Sequence, residues 1–391
     1  MTLIKIIIGL FGLGIVVFIH ELGHFLAARL CKIKVDAFSV GWGNPILKKK
    51  IGEVEYRLGM FPVGGYCKFK GGADYGGSDY KETWELLNKG QKPEAGSYLA
   101  ASPQARILTC FAGPAFNFIF AILLLSIIWG IGFEFPGYEN KIALLSERIE
   151  QTEDTPPELF PADIAGLKTG DRIIEIDGNK ISYFHEMREI IALNPNKELV
   201  LTIEREGEPN QKLTITPKLD KSSGMGQIGV LMYYYEDTQS YKYEMIRSPK
   251  YNLFTAIGKG AGECWKSLTL TIKSFRLLFM GIDLTQAVSG PVRITYMMGD
   301  IAAQGMGQGF GVAIRSFMEF IALISIALCI MNLLPLPIID GGMILLFFVE
   351  LIRKKPTHPK VISVFQGVGI AIILCLMVFA LFGDILYFIR R

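Results

Sequence analysis

The sequence predicts a polytopic α-helical membrane protein with four transmembrane helices, an inserted α+β domain and a membrane-associated β-hairpin. Three observations lead there. Half of the 391 residues are hydrophobic and the mean hydropathy is +0.35, high for a chain dissolved in water. Four apolar segments, Leu3–Leu30, Ile107–Phe133, Phe317–Ile352 and Val361–Ile389, each exceed the roughly 20 residues that cross a bilayer as a helix. Between the second and third lies a polar, turn-rich stretch with alternating apolar residues, the pattern of strands.

The first segment does not read as a signal peptide. Its apolar part is too long, ionisable residues fall where a cleavage region should begin, and no small-x-small site follows. The charges set an orientation. Lys32 to Arg106 carries twelve Lys and Arg, including the run Lys48–Lys50, and "RKKPTHPK" (Arg353–Lys360) carries four with no acid. Basic residues beside membrane segments mark the cytoplasmic side. Both loops are therefore expected in the cytoplasm, with the N-terminus, residues 134–310 and the C-terminus outside. Net charge is +3, and no basic stripe with interleaved aromatics appears outside these flanks, so no nucleic-acid partner is expected. The six cysteines are scattered, with none between 134 and 250 and no Cys-x-x-Cys. Neither a disulfide framework nor a cysteine zinc site is implied.

Four regions follow. Residues 1–133 hold the first two apolar segments and a cytoplasmic loop. Within the loop, Val54, Tyr56 and Leu58 alternate with charged residues, Pro62, Gly64 and Gly65 supply a turn, and Tyr66–Lys70 alternates again. This predicts a β-hairpin, either an ordinary one or one that dips toward a membrane-embedded site and offers its edge to an extended peptide. Residues 134–225 hold an acidic, proline-containing linker and a small domain. Its elements are a strand at Arg172–Ile176, an Asp177-Gly178 hairpin turn, a helix near Phe184–Leu193, and strands in "ELVLTIERE" and "KLTITP". With its Gly-Leu-x-x-Gly-Asp turn this domain resembles a bacterial PDZ domain, a peptide-binding or purely steric module. In residues 226–310, Trp265, Leu268, Ile272, Phe275 and Phe279 recur at helical spacing with Lys266, Lys273 and Arg276 on other faces. An amphipathic helix over Glu263–Asp283, lying along the outer interface, is expected. Residues 311–391 hold the last two apolar segments.

The chemistry sits in "VVFIHELGHFLAARL", residues 16–30. His20 and His24 lie one helical turn apart on one face, close enough to share a metal ion. Glu21, rotated about 100° from His20, can hold and deprotonate an attacking water, as in the thermolysin-type signature. A structural role for two histidines is common in a soluble helix. Inside lipid each ionisable group costs on the order of 2.5–3.5 kcal/mol, which argues for function. A catalytic zinc needs a third protein ligand. Of the remaining histidines, His185 falls in the outward domain and His358 in a basic loop. Asp340, in "NLLPLPIIDGG" (Asn332–Gly342), is the better candidate, because prolines and glycines let the backbone leave helical geometry there. Irregular backbone at membrane depth occurs only where it is buried in protein or lines a wet cavity.

His-Glu-x-x-His in the first membrane helix, a PDZ-like insertion and Asn-x-x-Pro-x-Pro-x-x-Asp-Gly in a later one together resemble the bacterial site-2 protease family of the RseP type, over essentially the whole chain. "AGPAFN" (Gly113, Pro114, Asn117) resembles the family's second-helix element, "FPVGGYCKFKG" its membrane-associated β-loop, and "SGPVRI" (Ser289–Ile294) the stretch after its PDZ region. The single PDZ-like unit departs from relatives that carry two. The resemblance implies an intramembrane zinc metalloprotease of the bacterial cytoplasmic (inner) membrane, with both termini and the PDZ-like domain outside. Its partners would be single-pass transmembrane substrates trimmed by another protease, such as anti-sigma factors and remnant signal peptides. It also implies Asn332, Gly64, Gly65 and Asn117 as substrate contacts. Three alternatives differ in their needs. A silent membrane scaffold does not need His20, Glu21, His24 and Asp340 together. A zinc transporter needs more ligands along a pathway. A soluble-facing metalloprotease would keep His-Glu-x-x-His out of an apolar run.

Overall fold

The computed structural model describes residues 2–71, 78–91, 93–148, 159–220, 225–278 and 290–389. The chain divides into two compact units. The first comprises residues 1–130, 252–272 and 288–391, and the second residues 131–251 with 273–287.

The first unit opens with α1, Thr2–Leu30, long enough at 1.5 Å per residue to exceed a 30 Å hydrocarbon core. It stops where Lys32 turns left-handed (φ 61°) and Ile33 N–H returns to Ala28 O at 2.8 Å, closing orphan carbonyls of the last turn. Strands β1 (Val35–Ile51) and β2 (Val54–Phe69) follow, paired antiparallel. The hairpin turn sits at Gly52 (φ 62°), between Ile51 and Val54. The chain also reverses at the expected turn: residues 55–58 run parallel to 37–40 on one side and residues 65–68 run antiparallel to them on the other, so β2 changes direction between Leu58 and Gly65. The two arms flank β1 instead of pairing with each other.

Helix α2 (Ser78–Asn88) packs Trp84 edge-on against His358, ring centroids 4.5 Å apart. Helix α3 (Pro103–Ile131) starts with Pro103 at its first position, where a missing N–H costs nothing, and stops at Gly132 (φ 76°).

In the second unit, β3 (Glu134–Tyr138) pairs with a late strand and β4 (Ile142–Leu144) follows it. The short helix α4 (Pro161–Ile164) leads into β5 (Arg172–Ile176), β6 (Asn179–Lys180), α5 (Phe184–Ala192), β7 (Leu199–Glu204) and β8 (Gln211–Ile215). These strands form one antiparallel sheet, β6-β5-β7-β8. Asp177 (φ 48°) and Gly178 (φ 82°) make the expected hairpin turn. The alternating inward residues Ile173, Ile176, Leu199, Leu201, Ile203 and Met187 of α5 form its core. Short strands β9 (Lys218–Leu219) and β10 (Gly226–Gln227) pair with each other, β11 (Val230–Met232) pairs with β4, and β12 (Tyr243–Arg247) pairs with β3.

Returning to the first unit, α6 spans Leu253–Leu278. Residues 279–283 of the expected amphipathic helix lie outside the described residues. Along its length Ala256 meets Gly130, a Cβ at Gly260 would meet Ser126, and the Cys264 thiol points at Phe118 O. So α6 runs antiparallel along α3 for several turns, which a helix lying flat on an interface would not do. Helix α7 (Pro291–Gln308), not expected from the sequence, crosses the N-terminal half of α1. Its glycine contacts are backbone-close: a Cβ at Gly9 would meet Thr295 O, and one at Gly299 would meet Lys5 O. The third apolar segment is two helices, α8 (Phe310–Leu333) and α9 (Asp340–Arg353), separated by a break over 334–339. The chain ends in α10, Pro359–Ile389. Within it, Asp384 is 2 % exposed and accepts the backbone N–H groups of Gly290, Val292 and Arg293 at 2.8, 3.1 and 3.1 Å, capping α7.

Among the described residues, four helices are long and apolar enough to cross a membrane: Leu3–Leu30, Pro103–Ile131, Phe310–Leu333 and Pro359–Tyr387. This is an integral, polytopic membrane protein. Ten residues along α9 from Asp340, Glu350 forms a buried ion pair with Arg106 of α3 at 2.8 Å, the side chains 1 % and 4 % exposed. The Arg106 guanidinium also stacks on the Phe347 ring at 4.6 Å, and Glu350 accepts the Thr357 N–H at 2.5 Å.

Candidate active site

Helical spacing puts His20 and His24 on one face of α1, and the break before α9 brings Asp340 to them. His20 Nε2 lies 3.1 Å from His24 Nε2 and 3.2 Å from Asp340 Oδ2, and His24 Nε2 lies 3.4 Å from Asp340 Oδ1. Four bonds of about 2.1 Å in a tetrahedron would hold donor atoms about 3.4 Å apart. The donor set therefore fits zinc by chemistry and by spacing. Asp340 Oδ2 is also buried with no hydrogen-bond partner, as a ligand atom would be without its ion. Among the described residues this is the one group of three His, Cys, Asp or Glu side chains placed to hold a metal. The other histidines pack elsewhere, His185 against Phe135 and Tyr183, His358 against Trp84.

Asp340 owes its position to strain and close approach. Ile338, β-branched, is held at φ 80°, a conformation that costs on the order of 1–3 kcal/mol. Gly341 and Gly342 pass under the carbonyls of Leu333, Leu334 and Leu336, where an added Cβ would come within 2.0–2.4 Å. Only glycines fit there, so the Asp-Gly-Gly run folds back on the proline turn and starts α9 at Asp340.

Helix α3 supplies the setting of the rings. Thr109 O lies 2.8 Å from His24 Nδ1, and the Asn117 side-chain amide lies 3.3 Å from His20 Nδ1. Between them, a Cβ on Gly113 would meet His24 Nε2 at 2.4 Å and His20 Cε1 at 2.9 Å. Residues 109, 113 and 117 recur every four positions and share one face.

Glu21 is 9 % exposed. A Cβ at Gly65 would stand 3.0 Å from Glu21 Cγ. The outer edge of residues 65–68 thus runs beside the acid. Gly64 (φ 83°) leaves room for the Trp42 indole, whose Nε1 a Cβ would meet at 2.1 Å. Asn332 is half-buried in the last turn of α8. The structure brings His20, Glu21, His24, Asp340 and Gly65 together. It corrects one expectation: Asn117 is wholly buried and faces a histidine, not a surface that a peptide could reach. Sequence reasoning missed Thr109, whose contribution is a backbone carbonyl and carries no residue signature.

Comparison with known proteins agrees with this geometry. The family description "Peptidase family M50" matches residues 8–376. Among similar proteins is one from Treponema pallidum, 31% identical over 98% of this chain and 99% of its own length, and one from Campylobacter jejuni, 34% identical over 95% and 91%. Both are named as zinc metalloproteases. The Metalloprotease MmpA of Caulobacter vibrioides is 29% identical over 98% and 96%. A His-His-Asp donor set inside apolar helices, an adjacent glutamate and a family match along nearly the whole chain converge on one conclusion: the chain belongs to peptidase family M50, the site-2 proteases, and is a membrane zinc metalloprotease.

Proposed function

We propose that this enzyme hydrolyses peptide bonds within transmembrane segments of other membrane proteins, with His20, His24 and Asp340 as the zinc ligands and Glu21 as general base. The observation that carries the reading is that two of the three donors, His20 and His24, lie in α1, one of the apolar candidate spans, with Asp340 brought to them from α9. A protease built there meets substrates from within the bilayer. Held by His20, His24 and Asp340, a zinc ion would supply the Lewis acidity that polarises a scissile carbonyl and acidifies water toward neutral pH. Glu21 takes the proton of the attacking water at its carboxylate and hands it to the leaving amine. The outer edge of residues 65–68 offers N–H and C=O groups to an unwound substrate strand, and Asn332 is assigned, on the resemblance of its motif alone, a hydrogen bond to the same substrate backbone. An apolar groove of about 520 Å³ between α1 and the sheet, lined by Phe11, Phe18, Val40 and Leu58 among others, offers an approach.

The substrates are single-pass proteins already trimmed outside the membrane, anti-sigma factors or remnant signal peptides in kind. The four-stranded domain of the second unit acts as a PDZ-like filter against bulky outer portions. The enzyme lies in the bacterial cytoplasmic membrane with both termini outside and the zinc toward the cytoplasm. In that orientation α6 descends along α3 and α7 rises antiparallel to α1, so the pair enters and leaves by one face and the direction of α8 is preserved.

Glu21→Gln tests the chemistry. The nearly isosteric amide cannot take a proton, so the variant keeps its zinc and cleaves a model transmembrane substrate at least ~10²-fold more slowly. Near-normal turnover would remove Glu21 from the mechanism.

A further inference from the structure

We infer that Asn117 is a positioning residue for His20: its side-chain oxygen accepts the His20 Nδ1–H and fixes the ring as the tautomer whose Nε2 lone pair faces the metal. The inference rests on His20 being a zinc ligand and goes beyond it. His20 Nε2 is the nitrogen turned toward His24 Nε2 and Asp340 Oδ2. A neutral imidazole with its lone pair at Nε2 carries its proton on Nδ1, so whatever faces Nδ1 must accept. Asn117 faces it at 3.3 Å, through the amide nitrogen as placed, while Asn117 Oδ1 is buried with no partner. A half-turn about the last side-chain torsion exchanges the two atoms with almost no change in shape. Either orientation leaves one half of the amide unpaired, so the histidine decides, and it requires the oxygen.

The neighbouring ligand supports this independently. His24 Nδ1 faces Thr109 O at 2.8 Å, and a carbonyl can only accept. His24 is therefore held in the same tautomer, by the same helix. One face of α3 then reads acceptor, gap, acceptor: Thr109 O, the bare Gly113, Asn117 Oδ1. The template cannot slide, because a Cβ at Gly23 of α1 would lie 2.4 Å from Ala112 O. Hydrogen bonds of this kind to a ligating histidine are commonly worth 10–100-fold in metal affinity.

The test compares Asn117→Leu, which keeps the branched shape in a larger side chain with no acceptor, with Asn117→Asp, whose carboxylate accepts. Zinc affinity of the purified full-length protein is measured by chelator competition, with His20→Ala alongside and thermal unfolding of the metal-free proteins as a control. Asn117→Leu is expected to bind zinc ~10–100-fold more weakly, and Asn117→Asp within a few-fold of the parent. Should the leucine variant fail to fold, Asn117→Ala carries the same expectation. Unchanged zinc affinity in Asn117→Leu, with affinity lost in His20→Ala, overturns the inference and leaves the ligand assignment standing. Unchanged affinity in His20→Ala overturns the ligand assignment itself. An aspartate variant as weak as the leucine variant overturns the acceptor role, and a raised KM with zinc intact returns Asn117 to the substrate.

Discussion

Replacing Gly113 by alanine should damage the metal centre while sparing the fold. The added methyl would stand 2.4 Å from His24 Nε2, 2.5 Å from His24 Cε1 and 2.9 Å from His20 Cε1. Comfortable carbon–nitrogen contact needs about 3.4–3.5 Å, so the His24 ring must retreat by roughly 1 Å. Working constellations hold their groups to about 0.5 Å, and a misplacement of ~1 Å costs about 10²-fold in rate. Overpacking itself costs ~1–3 kcal/mol, which a protein of this size survives. Gly113→Ala should therefore bind zinc at least ~10-fold more weakly, a ligand's loss of support being worth that much, and cleave ~10²-fold more slowly. Chelator competition and turnover of a model substrate read the two effects. Gly130→Ala, in the same helix α3, is the control, since its methyl would meet only Ala256 Cβ of α6 at 3.8 Å. Parental zinc affinity and turnover in Gly113→Ala would show that α3 does not confine the rings.

Three further outcomes are expected. Arg106→Met strands Glu350 as a buried unpaired charge and should cost ~3–5 kcal/mol, measured by unfolding in detergent; Arg106→Met with Glu350→Met should recover much of it, and a double variant no more stable than the single would refute the coupling. Ile338→Gly relieves the positive φ and should raise thermal stability while slowing cleavage, because Asp340 loses the constraint that aims it; a faster enzyme would place the strain outside the mechanism. Single cysteines in a Cys-free background should be reached by an impermeant external reagent at Thr238 and Gln304 and not at Lys355, positions that are all exposed, whereas Thr357 is buried and a poor probe; labelling of Lys355 in intact cells would invert the proposed topology.

The parts of the molecule legible in the sequence are those whose physics is local. His20, Glu21 and His24 announce themselves through spacing on a helix and the cost of placing them in lipid. Asp340 follows from the prolines and glycines around it, and the second unit's strands match their alternation nearly residue for residue. What was hidden depends on partners distant in the chain. The turn at Gly52 is hidden by the lysine run beside it, while the proline and glycines before Tyr66 show the reversal there but not that residues 37–40 of β1 lie between its two arms. Helix α7 has neither the hydropathy of a span nor a clear polar face, and its N-terminus is satisfied by Asp384, 94 residues away from Gly290. Asn117 carried a motif without its meaning, because only the fold shows which ring it faces.

The Asp384 cap also sets an order of assembly. During synthesis α1 inserts first, and its glycine-lined half waits for α7 to cross it. When α7 emerges, the amides of its first turn still lack the Asp384 carboxylate that caps them. Their acceptor is made 44 positions after Asp340, when every candidate ligand has already left the ribosome. The helix crossing α1 is thus capped by a residue made after all three candidate ligands, so α10 holds the flank of a site to which it contributes no ligand.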